Sequence, residues 1–172
     1  MHRIGARRVV ASLVVVAAML AAAPADAIEI FDELTGERSP VPTQTRHDVD
    51  QTTGVVVGAI RIPTIGIDHV MREGVAASVI NQGPAHWAGT TLPGGQGNVV
   101  VAGHRTTYSH PFADLDRLAR GNLIFVTDAN GREVTYVVTS VFVVDPKAMW
   151  ITNDSGEPVL ILFACHPKGS AA

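Results

Sequence analysis

Val159-Leu160-Ile161-Leu162-Phe163-Ala164-Cys165-His166-Pro167 is an apolar run opened by Pro158 and closed by His166-Pro167. Its length and its bounding residues are those of a buried strand rather than a helix. The strand ends on Cys165, the chain's single cysteine. An unpaired thiol at such a place is either inert packing, as a small hydrophobe, or a nucleophile activated by a nearby base and cation. A second stretch repeats the design: Asn98-Val99-Val100-Val101-Ala102-Gly103-His104-Arg105 is a short apolar strand that ends on an imidazole. If the two strands lie side by side and parallel, thiol and imidazole meet at one rim of the sheet. If they run antiparallel, about a strand length, roughly 16 Å, separates them. Gly103 favours the first arrangement, because a strand-end glycine lets the backbone turn sharply or lets a ligand come close.

Upstream, Val55 to Ile62 reads as a strand closed by Pro63, and Ile65 to Met71 as a second. Ser78 to Gln82 forms a brief helical turn before Gly83-Pro84, and Leu92 to Gly97 is a loop by composition. Phe112, Leu115 and Leu118, between Pro111 and Gly121, mark a short amphipathic helix. Leu123 to Thr127 and Glu133 to Val144 flank Asp128-Ala129-Asn130-Gly131, and Asn-Gly predicts a hairpin of two antiparallel strands. Asp145-Pro146 ends the second of these, and Lys147 to Asn153 is a loop or single turn. About six or seven closely spaced strands with little helix imply a mainly β domain, a sandwich or a closed barrel. There is no internal repeat.

At 172 residues, 47% hydrophobic and 17% charged, the chain is long enough for one domain with a core. Residues 1–27 differ from the rest. Arg3, Arg7 and Arg8 form a positive region, Val9 to Ala23 an apolar one, and Ala25-Asp26-Ala27 fits a small-residue cleavage site. This is an export signal or, left uncleaved, an anchor; the apolar run is shorter than the roughly 20 residues of a membrane-spanning helix. Residues 28–53 are acidic, with Pro40 and Pro42, and read as a flexible tether, leaving 54–172 as the folded domain. Of 13 basic and 16 acidic residues, the first 27 hold three Arg and Asp26, so the remainder is acidic. That balance excludes a nucleic-acid or anionic-membrane footprint, and contact with a membrane is expected only through an uncleaved N-terminal segment. A lone cysteine in an exported chain has no disulfide partner, so it is either buried or kept free for chemistry.

Four separated stretches resemble the sortase family, most closely its actinobacterial class E type. They are Ile60-Arg61-Ile62-Pro63 with Ile65-Gly66-Ile67, Pro84 to Thr90, Gly97 to Arg105, and Cys165-His166-Pro167-Lys168, in that order. The resemblance implies a closed eight-stranded sortase-type β-barrel with one or two short helices, at the outer face of the plasma membrane or cell wall. It implies a cysteine transpeptidase that cuts a C-terminal sorting signal of the Leu-Pro/Ala-x-Thr-Gly type through a Cys thioester. The protein would then pass to a cell-wall amine, with no cofactor. Carried over by position, Cys165 is the nucleophile and His104 the acid. Two departures accompany it: the family's third catalytic residue, an arginine on a final strand after the cysteine, has no counterpart before Ala172, and Ile161, Phe163 and Ala164 stand where the family has threonines. The expectation is a barrel that lacks its last strand, leaves the Cys165 strand with an unpaired edge, and turns over slowly.

The remaining candidates have plainer roles beside the functional ones. Arg105 can supply the missing positive charge, or point to solvent from the rim. Trp87, Tyr108 and Trp150 can line a substrate groove, or pack under loops. Among seven histidines, His104, His110 and His166 fit no zinc spacing, so no metal is expected; His69 and His86 read as surface or strand-end residues. His166 either tunes its neighbour Cys165 or is a plain turn residue. The alternative to the enzyme is an impaired sortase-like domain that binds peptides or another partner. An L,D-transpeptidase fits less well, because no arginine follows Cys165.

Overall fold

The computed structural model describes residues 12–20 and 49–169. Its strands are β1 (Ser12–Leu20), β2 (Val56–Ile62), β3 (Ile67–Glu73), β4 (Ala85–His86), β5 (Asn98–Ala102), β6 (Leu123–Asp128), β7 (Glu133–Val144) and β8 (Val159–His166), with one helical turn, α1 (Ala77–Ile80), after β3. They close into a barrel in the order β1-β7-β6-β2-β3-β4-β5-β8. The β5 and β8 strands are parallel neighbours, with Asn98 opposite Val159 and Ala102 opposite Phe163. This is the arrangement of the two that brings both strand ends to one rim.

The hairpin between β6 and β7 is antiparallel as expected, with Thr127 opposite Glu133. Asp128 builds its turn: its Oδ1 accepts from the backbone N–H of Asn130 at 2.8 Å and of Arg132 at 3.0 Å. Gly131 then takes the left-handed conformation, at φ 83°, that a β-carbon would oppose.

The amphipathic helix expected around Phe112 to Leu118 is only a 3-10 turn, Leu115–Arg117. All three of its apolar residues are buried nonetheless. A spacing of three is the repeat of the 3-10 turn rather than of an α-helix, and such turns stay short. The tether boundary also moves. Gln51 is docked on the domain, its Oε1 accepting from the backbone N–H of Val75 and of Ala88, both at 3.2 Å, and its Nε2 donating to the Ala88 carbonyl at 3.1 Å. Residues 28–48 of the expected tether, and 1–11 and 21–27 of the expected signal, lie outside the described residues.

The expectation of a missing wall is overturned, because Ser12–Leu20 fills it. Strand β1 runs antiparallel to both neighbours, from Ser12 opposite His166 to Met19 opposite Val159 on β8, and from Leu13 opposite Val144 to Leu20 opposite Tyr136 on β7. The edge of β8 is therefore paired. A run of Val, Ala, Met and Leu without a charge suits a strand covered on both faces as well as it suits an export leader.

Side chains alternate across the barrel wall. Val16, Ala18, Val99, Val101, Leu160, Leu162 and Ala164 face the interior, where they meet Ile60, Ile62, Met71, Phe112 and Tyr136. Val15, Val100, Val159 and Ile161 form a second cluster on the outer face under Ile151, with Trp87, Phe142, Val144 and Phe163 packed against it. Being covered on both faces is what makes β8 read as a continuous apolar run.

Candidate active site

The β5–β8 ladder continues past its last paired residues, since the Gly103 N–H donates to the Phe163 carbonyl at 3.2 Å. One further step sets His104 level with Cys165, on neighbouring strands roughly 4.8 Å apart. The alternation Val100, Ala102, His104 and Ile161, Phe163, Cys165 puts imidazole and thiol on the outer face together. Cys165 is a free thiol, half-buried.

Two contacts hold the His104 ring. Its Nε2 lies 2.8 Å from Oδ1 of Asn81, the residue that ends α1. The ring also stacks on Tyr108, with centroids 5.0 Å apart and planes at 29°. An amide oxygen only accepts, so this contact keeps a proton on Nε2 and leaves Nδ1 as the nitrogen that exchanges one. Partial burial pushes the His104 pKa below the ordinary imidazole value, because the charged form loses hydration.

Gly103, between the two strand ends, faces inward, and a β-carbon there would stand 2.5 Å from Cδ2 of Phe112. The close approach that this glycine permits is thus to a core ring beneath the rim. Phe112 is held in turn by its N–H, which donates to the His104 carbonyl at 3.0 Å.

Arg105 departs from the expected solvent-facing place on the rim. It faces away from His104, as alternation requires, but that direction leads under the end of β8, where its side chain is 1% exposed. Nη2 pairs with Asp116 Oδ2 at 2.7 Å. Nη1 lies 2.9 Å from His166 Nδ1 and 3.4 Å from the Cys165 carbonyl, and Nε donates to the Ala113 carbonyl at 3.4 Å. The guanidinium ties β8 at the cysteine to the Ala113–Asp116 turn, and His166 is one of its partners rather than a plain turn residue.

Trp87 and Phe163 pack on each other on the outer face, centroids 6.0 Å apart. Tyr108 is 63% exposed above the His104 ring. Trp150 stacks parallel on Phe142 at 6.2 Å, farther along the same face. His86 is a strand-end residue, the last of β4, and not a surface one: it is 1% exposed, with Nδ1 2.7 Å from Glu73 Oε2 and Nε2 2.9 Å from the Thr91 carbonyl. It pins the loop that carries Trp87. Asn81 escaped the sequence reading, since Asn before Gln-Gly marks the end of a helical turn and nothing in its spacing points to His104.

The Sortase domain family matches residues 60–172. Sortase D from Bacillus subtilis (strain 168) is 26% identical over 145 residues, covering 78% of this chain and 71% of that protein. The solved sortase C from Clostridium perfringens SM101 is similar with a TM-score of 0.60 and 27% identity, over 67% of this chain and 63% of its own. The lid mutant of sortase A from Corynebacterium diphtheriae shares the fold, with a TM-score of 0.62 and 24% identity over 72% of this chain and 66% of its own. The chain therefore spans somewhat less than two thirds of these two solved proteins. With a family match over well over half its length and an eight-stranded barrel, this chain belongs to the sortase family.

Proposed function

We propose that the chain is a sortase-type cysteine transpeptidase, class E-like, acting outside the plasma membrane on C-terminal sorting signals of the Leu-Pro/Ala-x-Thr-Gly type. The observation that carries this reading is the parallel β5–β8 register, which sets His104 and Cys165 level at one rim and on one face. The Cys165 thiolate adds to the carbonyl carbon of the Thr-Gly bond, and the tetrahedral oxyanion collapses as the C–N bond breaks. His104 gives a proton to the leaving glycine amine, and the threonine acyl group stays on sulfur as a thioester. An acceptor amine, such as one of the cell wall, then loses a proton to His104, adds to the thioester and expels Cys165 as thiolate. Trp87 and Phe163 offer apolar ground for the signal on the outer face, and Tyr108 lies across the ring that moves the proton.

The test is cleavage of a fluorogenic sorting-signal peptide with and without an added amine. Cys165→Ala should abolish cleavage, and the amine should divert product from acid to amide. No cleavage of Leu-Pro- or Leu-Ala-type peptides by a folded chain would sink the reading.

A second reading, a domain that binds sorting-signal peptides without turning them over, is favoured by one observation. The Arg105 guanidinium is engaged with Asp116, His166 and the Cys165 carbonyl, so it does not face the groove as an oxyanion donor. Loss of one such donor costs about 10²- to 10³-fold in rate. Saturable peptide binding to wild type with no turnover, and the same affinity in Cys165→Ala, would favour this second reading.

A further inference from the structure

Of all the strands, β1 is the one whose residues the sequence assigns to another task. The same Val and Ala run that forms the apolar centre of an export leader is a central strand of the barrel, paired along its length on both sides. An extended strand between β7 and β8 cannot at the same time be threaded into a membrane or an export channel, so the two placements exclude each other. When the segment is elsewhere, the edges of β7 and β8 that it pairs in this structure lose that partner, and each is a template for strand addition.

The gap has a defined chemistry. Val15, Val16, Ala17 and Ala18 are at most 1% exposed in it; Val16 and Ala18 meet the interior core and Val15 the outer cluster. It selects for an uncharged segment with small or β-branched side chains on both faces. The fit has one flaw. The ladder slips between Ala17 and Ala18, where Ala17 pairs with Ser140 and Ala18 with Val138. Thr139, left over at the slip, donates through Oγ1 to the Ala17 carbonyl at 3.2 Å. Ser140 Oγ beside it is buried without a hydrogen-bond partner among the described residues. A buried hydroxyl left unsatisfied weakens the seat. The occupant also lies against the catalytic strand, with Leu13 opposite Cys165.

We propose that the β7–β8 gap is a strand-acceptor site for an apolar, uncharged extended segment, with Ser12–Leu20 as its intramolecular occupant, exchangeable for the same strand supplied in trans. Completion of the barrel at Cys165 is thereby coupled to where the N-terminal segment resides. The intramolecular strand competes at an effective concentration in the millimolar range, so a free peptide enters only when the chain's own strand is disabled.

Two measurements on the full-length protein test this. In a Cys165→Ser background, Ala18→Cys with Leu160→Cys joins two residues directly opposite on the interior face. Mild oxidation of soluble protein should close that disulfide within one chain, whereas Ala17→Cys with Leu160→Cys, on opposite faces, should stay reduced. Separately, Val16→Pro disables the chain's own strand, since proline is not accommodated in a central strand. That variant should bind a labelled peptide of the Ser12–Leu20 sequence one to one, wild-type chain should not, and the same peptide with Val16→Pro should not bind. Adding Ser140→Ala to the acceptor should tighten peptide binding about tenfold by removing the unpaired hydroxyl. The proposal is overturned if the Ala18–Leu160 pair fails to close. It is equally overturned if the Val16→Pro chain folds without taking up peptide, or stays unfolded when peptide is added.

Discussion

Asn81 Oδ1 accepts from Nε2–H of His104 at 2.8 Å, and this contact joins the helical turn after β3 to the rim of β5. It decides which ring nitrogen carries the proton when the imidazole is neutral. Asn81→Ala should leave the fold intact, since the residue is only partly buried, and should slow cleavage or Cys165 alkylation about tenfold by letting the ring turn. Asn81→Gln, which keeps the acceptor but moves it, should fall between the two. Wild-type rates in Asn81→Ala would remove Asn81 from the site.

The depressed pKa of His104 makes a signed prediction. Its folded pKa lies below the ordinary value of roughly 6.5 because burial disfavours the cation. As pH falls, the unfolded chain therefore binds this proton first. The contribution to stability is fully present above the ordinary histidine value and declines as pH drops through it towards the folded value. Melting temperature should fall from pH 7.5 to 5, and the part of the fall due to this ring should vanish in His104→Gln. A difference that is the same in both proteins would show that His104 has no share in it.

Coupling of the pair can be read from the thiol. A methanethiosulfonate probe should label Cys165 near neutral pH, and His104→Ala should slow that labelling. The motivation is their shared rim and face on β5 and β8. Equal rates in the two proteins would show that ring and sulfur are not coupled, whatever their proximity.

Arg105→Met should cost about 1–3 kcal/mol, because it leaves Asp116 and the Cys165 carbonyl without their donor while filling the volume. Asp116 is half exposed, which keeps the loss below that of a fully buried orphan charge. Asp116→Asn should be milder alone and non-additive with Arg105→Met, since the two act on one contact. Simple additivity in denaturant melts would disprove the clamp.

What the sequence disclosed, and what it did not, divides along a physical line. The β5 and β8 strands and the hairpin at Asp128–Gly131 were legible because period, length and turn chemistry are local. So was the placement of His104 and Cys165 at strand ends, leaving only parallel or antiparallel to be settled by the structure. Ser12–Leu20 was not legible as a strand, because a leader and a doubly covered strand share one composition. The burial of Arg105 and of His86, which is a strand-end residue as expected, was not legible, because a charged or polar side chain is buried only when a distant partner meets it, here Asp116 and Glu73, and no local pattern announces such a partner. The amphipathic turn was half legible: its burial followed from the spacing, its helix type did not.

The packing of Gly103 on Phe112 supplies the last prediction. A β-carbon at residue 103 would come within 2.5 to 2.9 Å of three atoms of the Phe112 ring. That ring is wholly buried beneath the strand end, so it cannot swing aside. Gly103→Ala should therefore destabilise the barrel by about 1–3 kcal/mol through overpacking. It should also slow Cys165 labelling, because the displaced strand end carries His104 and the Phe112 N–H is bonded to the His104 carbonyl. Phe112→Leu alone should cost a similar amount, through the volume it removes. Combined with Gly103→Ala it should recover part of both losses, since the smaller side chain makes room for the methyl group. Double-mutant melts decide it: a double variant as unstable as the two single losses added together would mean that the steric contact is not what Gly103 is there to allow.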